Sequence, residues 1–527
     1  MPSLFALHVA PAVAHLSGQP AHATRRAADS DEATGARSRP TEIEPQHVRH
    51  VEPWSEDDRA YALQLCRRVN RKEAPRIFRI FRRALVEASA EHHARWASRD
   101  QAIGPRWAAD PWYFVEPEWM TSRGLHADLH ALVGVLEHAR RLGFRNVGLS
   151  ADLNATSIIV PQFEGLMRRA VELELRVATG LDPERVAGCD SGRSWAHELD
   201  RPRAIGRLLG LLAHELNLGV LGARTLHVDR WLSTVRTRGA SSEAHALLAL
   251  IKLFVRLVGA RDVVIPELTA PTPEIGRFFG DTVQIHGASV PAEGDVAHWW
   301  SGMRGLRTTL VERSKQPLID ALRDRPQLLG GASLYGSLEH PDERYSRPRP
   351  GEPSRVRDLL GGDLTRVTLG LACLYALPAT PAIYAGIELG GRVTFSPALS
   401  TGDAEPISRA LRALNDLRAR SPALQRGAHV PLSTSRDEIL AWVRQLSGVE
   451  TVLFIANLSP RTKTVRVDDV ELLEALGISV LQAPGGFHLL EASPSIRFIT
   501  RRDRGLTIGL GPSAFAFLEL QRDQPGI

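Results

Sequence analysis

The sequence predicts a (β/α)8 TIM barrel with an N-terminal helical extension and a C-terminal antiparallel β domain. Three observations predict it. Between about residues 111 and 395, eight short apolar runs alternate with longer helical stretches. Before them the apolar residues recur at three- and four-residue steps. After them come short alternating runs separated by Gly, Pro, Ser and Asp. The expected segments are a disordered tail at 1–50, helices at 51–108, the barrel at 109–405, and a linking helix with the β domain at 406–527.

Residues 1–50 are rich in Ala, Arg, Ser, Pro and Asp and lack an apolar period. The stretch RAYALQLCRRVNRKEAPRIFRIFRRALVEASAEHHARWA is helical in period, and Pro75 is expected to divide it in two. Arg67 to Arg83 hold eight basic residues and one acid, Glu73. With Ile77, Phe78, Ile80, Phe81 and Leu85 between them, they read as the wet face of an amphipathic helix rather than a polyanion site.

The strand-like runs are WYFV (112–115), FRNVGLS (144–150), RVATGL (176–181), ARTLHVD (223–229), RDVVIPEL (261–268), DTVQIHG (281–287), LLGGASLYG (328–336) and TPAIYAG (380–386). Between them lie helical runs such as ADLHALVGVLEHARRLG and EAHALLALIKLFVRLVG. A doubly wound sheet is the alternative, but neither GxGxxG nor GxxxxGK[ST] occurs. Beyond 405, ISRALRALNDLRARSPAL is a helix. EILAWVR, TVLFIANLS, TKTVRV and LTIGLGPSAFAFLEL read as antiparallel strands.

Composition excludes several classes. The 527 residues hold 65 basic and 60 acidic side chains, net +5, too weak a bias to argue for nucleic acid. Cys66, Cys189 and Cys373 form neither a disulfide framework nor a zinc spacing, which fits a reducing, cytoplasmic setting. No run reaches the roughly 18 apolar residues that a membrane span needs, so no membrane partner is expected. No HExxH occurs, and neither metal nor cofactor is implied.

In a barrel of this kind, chemistry sits at the C-terminal ends of the strands. There the fourth run ends in His227-Val228-Asp229 and the fifth in Pro266-Glu267, and Asp342 follows the seventh in SLEHPDER. Acids converging in one low-dielectric pocket have their pKa values driven apart, leaving one ionised as nucleophile and another protonated as general acid. Glycosidic cleavage needs that division. The alternative is that these acids cap helices or pair with some of the many arginines.

LPATPAIYAGIELGG (377–391) resembles the eighth-strand signature of the α-amylase superfamily, glycoside hydrolase family 13, whose usual form is LPGTPxIYYGxExG. LNLGVLGARTLHVDRWL (216–232) resembles that family's fourth-strand motif, and RDVVIPEL resembles its fifth. DLRARSPALQRG with TVLFIANLS resembles its link into the C-terminal domain. SSEAHALLALIKLFVRLV is similar to the sucrose phosphorylase and amylosucrase branches. The resemblance implies a retaining enzyme acting on an α-glucoside or α-glucan. Asp229 would be the nucleophile, Glu267 the general acid and later base, and Asp342 the third acid that holds sugar hydroxyls.

The departures from the family pattern are equally specific. His227 stands where the family has a substrate-binding Arg, and Pro341 where it has a His. Gly180, Glu184 and Arg185 occupy key positions of the third-strand motif DxxxNH, and residues 151–175 contain no Tyr to stack on a sugar. The domain between strand three and helix three is expected to be reduced. Two functional expectations therefore stand: hydrolysis or glucosyl transfer at α-glucosidic bonds, or an inactive relative that binds glucan or a partner enzyme. An unrelated barrel enzyme using the same two acids is a third.

Overall fold

In the computed structural model, the described residues are 54–103, 109–115, 129–149, 160–181, 201–220, 222–225, 241–259, 263–266, 282–285, 288–291, 296–325, 333–340, 355–389, 405–468, 484–502 and 505–522. The N-terminal segment forms two helices, α1 (Glu56–Val69) and α2 (Ala74–Ile103). Ser55 starts α1 through a capping box: its Oγ accepts the Asp58 N–H at 3.1 Å, and the Asp58 carboxylate accepts the Ser55 N–H at 3.0 Å. The break between the helices falls at Asn70, whose Oδ1 accepts the N–H groups of Lys72 and Glu73. Pro75 then lies in the first turn of α2, where its missing N–H costs nothing. Ile77, Phe81 and Leu85 are buried, while all eight basic residues between Arg67 and Arg83 are exposed, as the amphipathic pattern requires. The buried face packs on barrel helices α5 (Pro202–Asn217) and α6 (Ser241–Val258). Phe81 meets Phe254 edge-on at 5.7 Å, and Trp96 Nε1 donates to the Asn217 carbonyl at 3.1 Å.

The barrel strands are β1 (Trp112–Val115), β2 (Asn146–Leu149), β3 (Arg176–Leu181), β4 (Gly222–Thr225), β5 (Val263–Pro266), β8 (Val296–His298), β9 (Ser333–Ser337) and β10 (Thr380–Tyr384). They form one parallel sheet in the order β5-β4-β3-β2-β1-β10-β9-β8, so first and last strands pair. β5 lies against β8 without ladder hydrogen bonds and completes the ring. Helices α3 (Leu129–Arg141), α4 (Val160–Glu172), α5, α6, α7 (Trp300–Glu312), α8 (Gln316–Arg323), α9 (Val356–Leu359) and α10 (Leu364–Ala376) follow the strands.

One strand assignment changes. Residues 281–287 do contain a strand, β6 (Thr282–Ile285), but it pairs antiparallel with β7 (Ala288–Pro291) outside the main sheet. The sixth barrel strand is the three-residue β8, which is not among the eight expected strand-like runs. An alternating apolar run specifies extended backbone, not its partner, and three residues are too few to show a period.

Residues on the barrel strands alternate between two environments. Val115, Val147, Leu149, Val177 and Ile383 join the large core shared with the helices. Trp112, Phe114, Ala178, Val296, Tyr335, Ala382 and Tyr384 form a separate cluster inside the ring. Aromatic rings from β1, β9 and β10 fill this interior. Phe114 lies 5.8 Å from Trp112, 5.5 Å from Tyr335 and 5.3 Å from Tyr384. The β2 wall carries Gly148 where any side chain would strike the Phe114 ring.

After α11 (Glu405–Arg420) and α12 (Pro422–Arg426), the C-terminal domain forms a five-stranded and a three-stranded antiparallel sheet. The four expected runs supply β12 (Ile439–Leu446), β13 (Glu450–Asn457), β14 (Lys463–Asp468), β17 (Gly505–Leu510) and β18 (Phe515–Arg522). β11 (Ala428–Pro431), β15 (Pro484–Ala492) and β16 (Ile496–Arg502) are additional. The domain is fastened to the barrel by Arg444, buried and donating to the carbonyls of Ala376, Leu377 and Gly427. Ala376 and Leu377 end α10, so this guanidinium satisfies carbonyls that the helix terminus leaves without partners. Among the described residues, no helix is long and apolar enough to cross a membrane.

Candidate active site

All eight barrel strands run in one direction, so their last residues converge on one rim. β8 ends at His298, β9 at Ser337 and β10 at Tyr384, and all three side chains are fully buried. His298 Nε2 and Ser337 Oγ are 2.9 Å apart. The His298 ring lies 3.9 Å from Trp300 in a T-shaped contact and 4.7 Å from Tyr335. His340, just beyond β9, bridges Trp300 at 4.5 Å and Tyr384 at 5.2 Å. Trp299 and Trp300, directly after β8, are 1% and 5% exposed and pack within the protein. Trp299 covers Gly302 in the next turn.

Two buried carboxylates sit behind this aromatic layer. Glu388, in the motif IYAGIE, accepts hydrogen bonds from the Tyr113 hydroxyl at 2.7 Å and the Gly386 N–H at 3.1 Å. Its Oε1 is 3.2 Å from His138 Nε2. It ties β1, α3 and the exit of β10 together. Burial, reinforced by the Glu388 charge, holds the Tyr113 hydroxyl well above its ordinary pKa, so it remains a donor. Glu339 pairs with Arg355 at 2.9 Å and accepts the Val356 N–H at 2.9 Å. Burial raises the Glu339 pKa, against the opposing pull of the Arg355 guanidinium. Both acids are committed to partners within the scaffold.

Asp229, Glu267, Asp342 and the substrate-binding candidate His227 lie outside the described residues. The strands that lead to them are described. β4 and β5 are neighbours, with Thr225 opposite Pro266 in register. Glu267 is the next residue after Pro266, and Asp229 is four residues after Thr225. Asp342 follows His340 by two. Gly180 lies on β3 opposite Arg224 of β4, while Glu184 and Arg185 are outside the described residues.

Sequence reasoning missed His298, Ser337, His340, Glu339, Arg355 and the Tyr113–Glu388–His138 group. Glu339 and His340 lie in the segment SLEHPDER, where position after a strand-like run points only to Asp342. His298 and His138 had no signal beyond their residue type.

No family model matches the chain. A search of curated proteins finds trehalose synthase of Pimelobacter sp. (strain R48), 24% identical over 213 residues, 36% of this chain and 37% of that protein. The match thus spans little more than a third of that relative's length. Among solved structures, the α-amylase from Geobacillus thermoleovorans, complexed with acarbose, superposes with a TM-score of 0.59 at 13% identity, covering 79% of this chain and 99% of that one. The α-amylase from H. orenii gives 0.58 at 13% identity, covering 78% and 100%. The debranching enzyme from Nostoc punctiforme gives 0.55 at 14% identity, covering 79% and 99%. These neighbours are α-amylase-family enzymes, and the chain has their fold: a (β/α)8 barrel followed by an antiparallel β domain.

Proposed function

We propose that the protein acts on α-glucosidic bonds by a retaining, two-carboxylate mechanism. Asp229 attacks the anomeric carbon and forms a covalent glycosyl intermediate. Glu267 protonates the leaving oxygen and later deprotonates the acceptor. Asp342 holds the sugar hydroxyls, with His227 beside the nucleophile as a substrate-binding group. The observation that supports this best is the β4–β5 register. Adjacent parallel strands run about 4.8 Å apart, and retaining chemistry needs carboxyl groups about 5–5.5 Å apart. Glu267 follows β5 by one residue and Asp229 follows β4 by four, so both acids belong to the exits of neighbouring strands. Glu339 and Glu388 are not competitors for these roles, since each is buried and bonded within the scaffold.

The substrate we infer is an α-glucoside or α-glucan. The run SSEAHALLALIKLFVRLV resembles the sucrose phosphorylase and amylosucrase branches, and the curated match names trehalose, so sucrose and trehalose head the test panel. The short connection from β3 to α5, residues 182–201, is consistent with a reduced domain between strand three and helix three. The proposed segments are 51–108 for the helices, 109–405 for the barrel and 406–527 for the linker and β domain. A cytoplasmic location is consistent with the buried free thiols of Cys66 and Cys373.

A second reading is a catalytically inactive relative that binds glucan or a partner enzyme. The departures at Gly180, Glu184, Arg185, His227 and Pro341 favour it, because each lost polar contact to a sugar ring costs about 10²-fold or more in rate. One assay separates the two. The purified protein is incubated with sucrose, trehalose, maltose and a linear α-glucan, with and without phosphate, beside Asp229→Asn. Turnover that disappears in the variant supports the enzyme. Sugar binding without turnover supports the inactive relative.

A further inference from the structure

Three pieces of chain meet at the rim through one buried ion pair. The exit of β9 supplies Glu339, 1% exposed, and the start of α9 supplies Arg355, 6% exposed. One Glu339 oxygen takes the Arg355 guanidinium at 2.9 Å, and the other takes the Val356 N–H at 2.9 Å. The same Arg355 Nη2 reaches the carbonyl of Ala385, the first residue after β10, at 3.4 Å. Arg307 of α7 donates to the Leu338 carbonyl at 3.4 Å. Guanidinium groups thus reach the backbone just beyond two adjacent barrel strands, at Leu338 and at Ala385.

Stability alone is a poor reason for this arrangement. Two charges taken out of water gain back their solvation only through close, fully bonded geometry, and a well-packed apolar pair of the same volume is often as stable. What an ion pair with a divided carboxylate adds is direction. One oxygen faces the guanidinium as an ion pair and the other accepts the Val356 N–H, so charge and backbone together tie the β9 exit to the start of α9, whose Arg355 also reaches the β10 exit. This junction is at the C-terminal end of the barrel, where the strands present reacting groups. Glu339 precedes Asp342 by three residues.

We propose that Glu339 and Arg355 are positioning residues for the reaction proposed above, clamping the β9 exit to the β10 exit at the end of the barrel where the strands present reacting groups. Neither residue touches the sugar. The inference rests on the α-glucosidase reading for its catalytic consequence, while the clamp itself stands on the contacts among Glu339, Arg355, Val356 and Ala385.

The test uses the full chain with Glu339→Gln, Arg355→Met and Arg355→Lys. Glu339→Gln keeps the shape and can still accept the Val356 N–H, so it guards against simple unfolding. On the sugar that the unaltered protein turns over, Glu339→Gln and Arg355→Met should lower kcat by about 10- to 100-fold, the effect of small misplacement. KM should change less than about 3-fold, because uniform binding is untouched. Arg355→Lys should recover most of the loss. A kcat within about 2-fold of the unaltered protein in both Glu339→Gln and Arg355→Met overturns the proposal. So does a loss that appears in KM alone. If the unaltered protein turns over no sugar, the enzymatic reading fails separately, and amide hydrogen exchange decides the clamp. Arg355→Met should then speed exchange at 338–340 and 385–388 together. Unchanged exchange at both exits overturns the clamp.

Discussion

Gly148→Ala should destabilise the barrel from the inside. The added Cβ would lie 2.2 Å from both Cδ1 and Cε1 of Phe114. Ordinary carbon contacts are about 3.5–4.0 Å, so the ring must retreat by roughly 1.3 Å or more. It has little room to do so: Trp112, Tyr335 and Tyr384 surround it at ring-centre distances of 5.3–5.8 Å. Overpacking of this kind costs about 1–3 kcal/mol, and the crowding here points to the upper half of that range. The assay is urea unfolding followed by far-UV circular dichroism, comparing midpoints at constant slope. Gly165→Ala in α4 is the control, since nothing lies within 4 Å of its would-be Cβ. There alanine should stabilise by about 0.5–1 kcal/mol through helix propensity. Shortening the ring with Phe114→Leu in the Gly148→Ala background should recover part of the loss. A cost below about 0.5 kcal/mol for Gly148→Ala would refute the tightly filled barrel interior.

Two further outcomes follow from buried groups elsewhere. Arg444→Met removes a donor from the carbonyls of Leu377 and Gly427, while Trp442 Nε1 still donates to Ala376 at 3.1 Å, and should cost about 1–3 kcal/mol in urea unfolding. His429 has its pKa pulled down to about 3, chiefly by burial and then by the Arg444 and Arg325 charges. Its unfolded form takes up a proton near pH 6.5, so the protein should lose stability as pH falls from about 6.5 toward 3, by up to about 1.4 kcal/mol per pH unit. His429→Gln should remove that component of the slope, and an unchanged slope between pH 6.5 and 4 contradicts the buried neutral imidazole.

Much of the architecture was legible because the relevant signals are local. The apolar runs at 112–115, 146–149, 176–181 and 380–384 are strands buried on both sides, and such strands read as continuous apolar stretches. β8 was not legible. Three residues, Val296–His298, have no period, while the longer run at 282–285 has one and belongs to a separate hairpin. The helix break shows a similar limit: Pro75 announced it, but Asn70 makes it, five residues earlier. Asp229, Glu267 and Asp342 follow from their place after strand-like runs, and they lie outside the described residues. The Glu339–Arg355 and Glu388–His138 contacts do not follow from position, because they join residues 16 and 250 positions apart, beyond any pattern in sequence spacing.

The central claim is the retaining use of Asp229 and Glu267. Proton NMR of the first product released from an α-glucoside tests it most directly, before mutarotation sets in. The account predicts the α-anomer, with turnover reduced by about 10³-fold or more in both Asp229→Asn and Glu267→Gln. Release of the β-anomer, or turnover that survives Asp229→Asn, would contradict it.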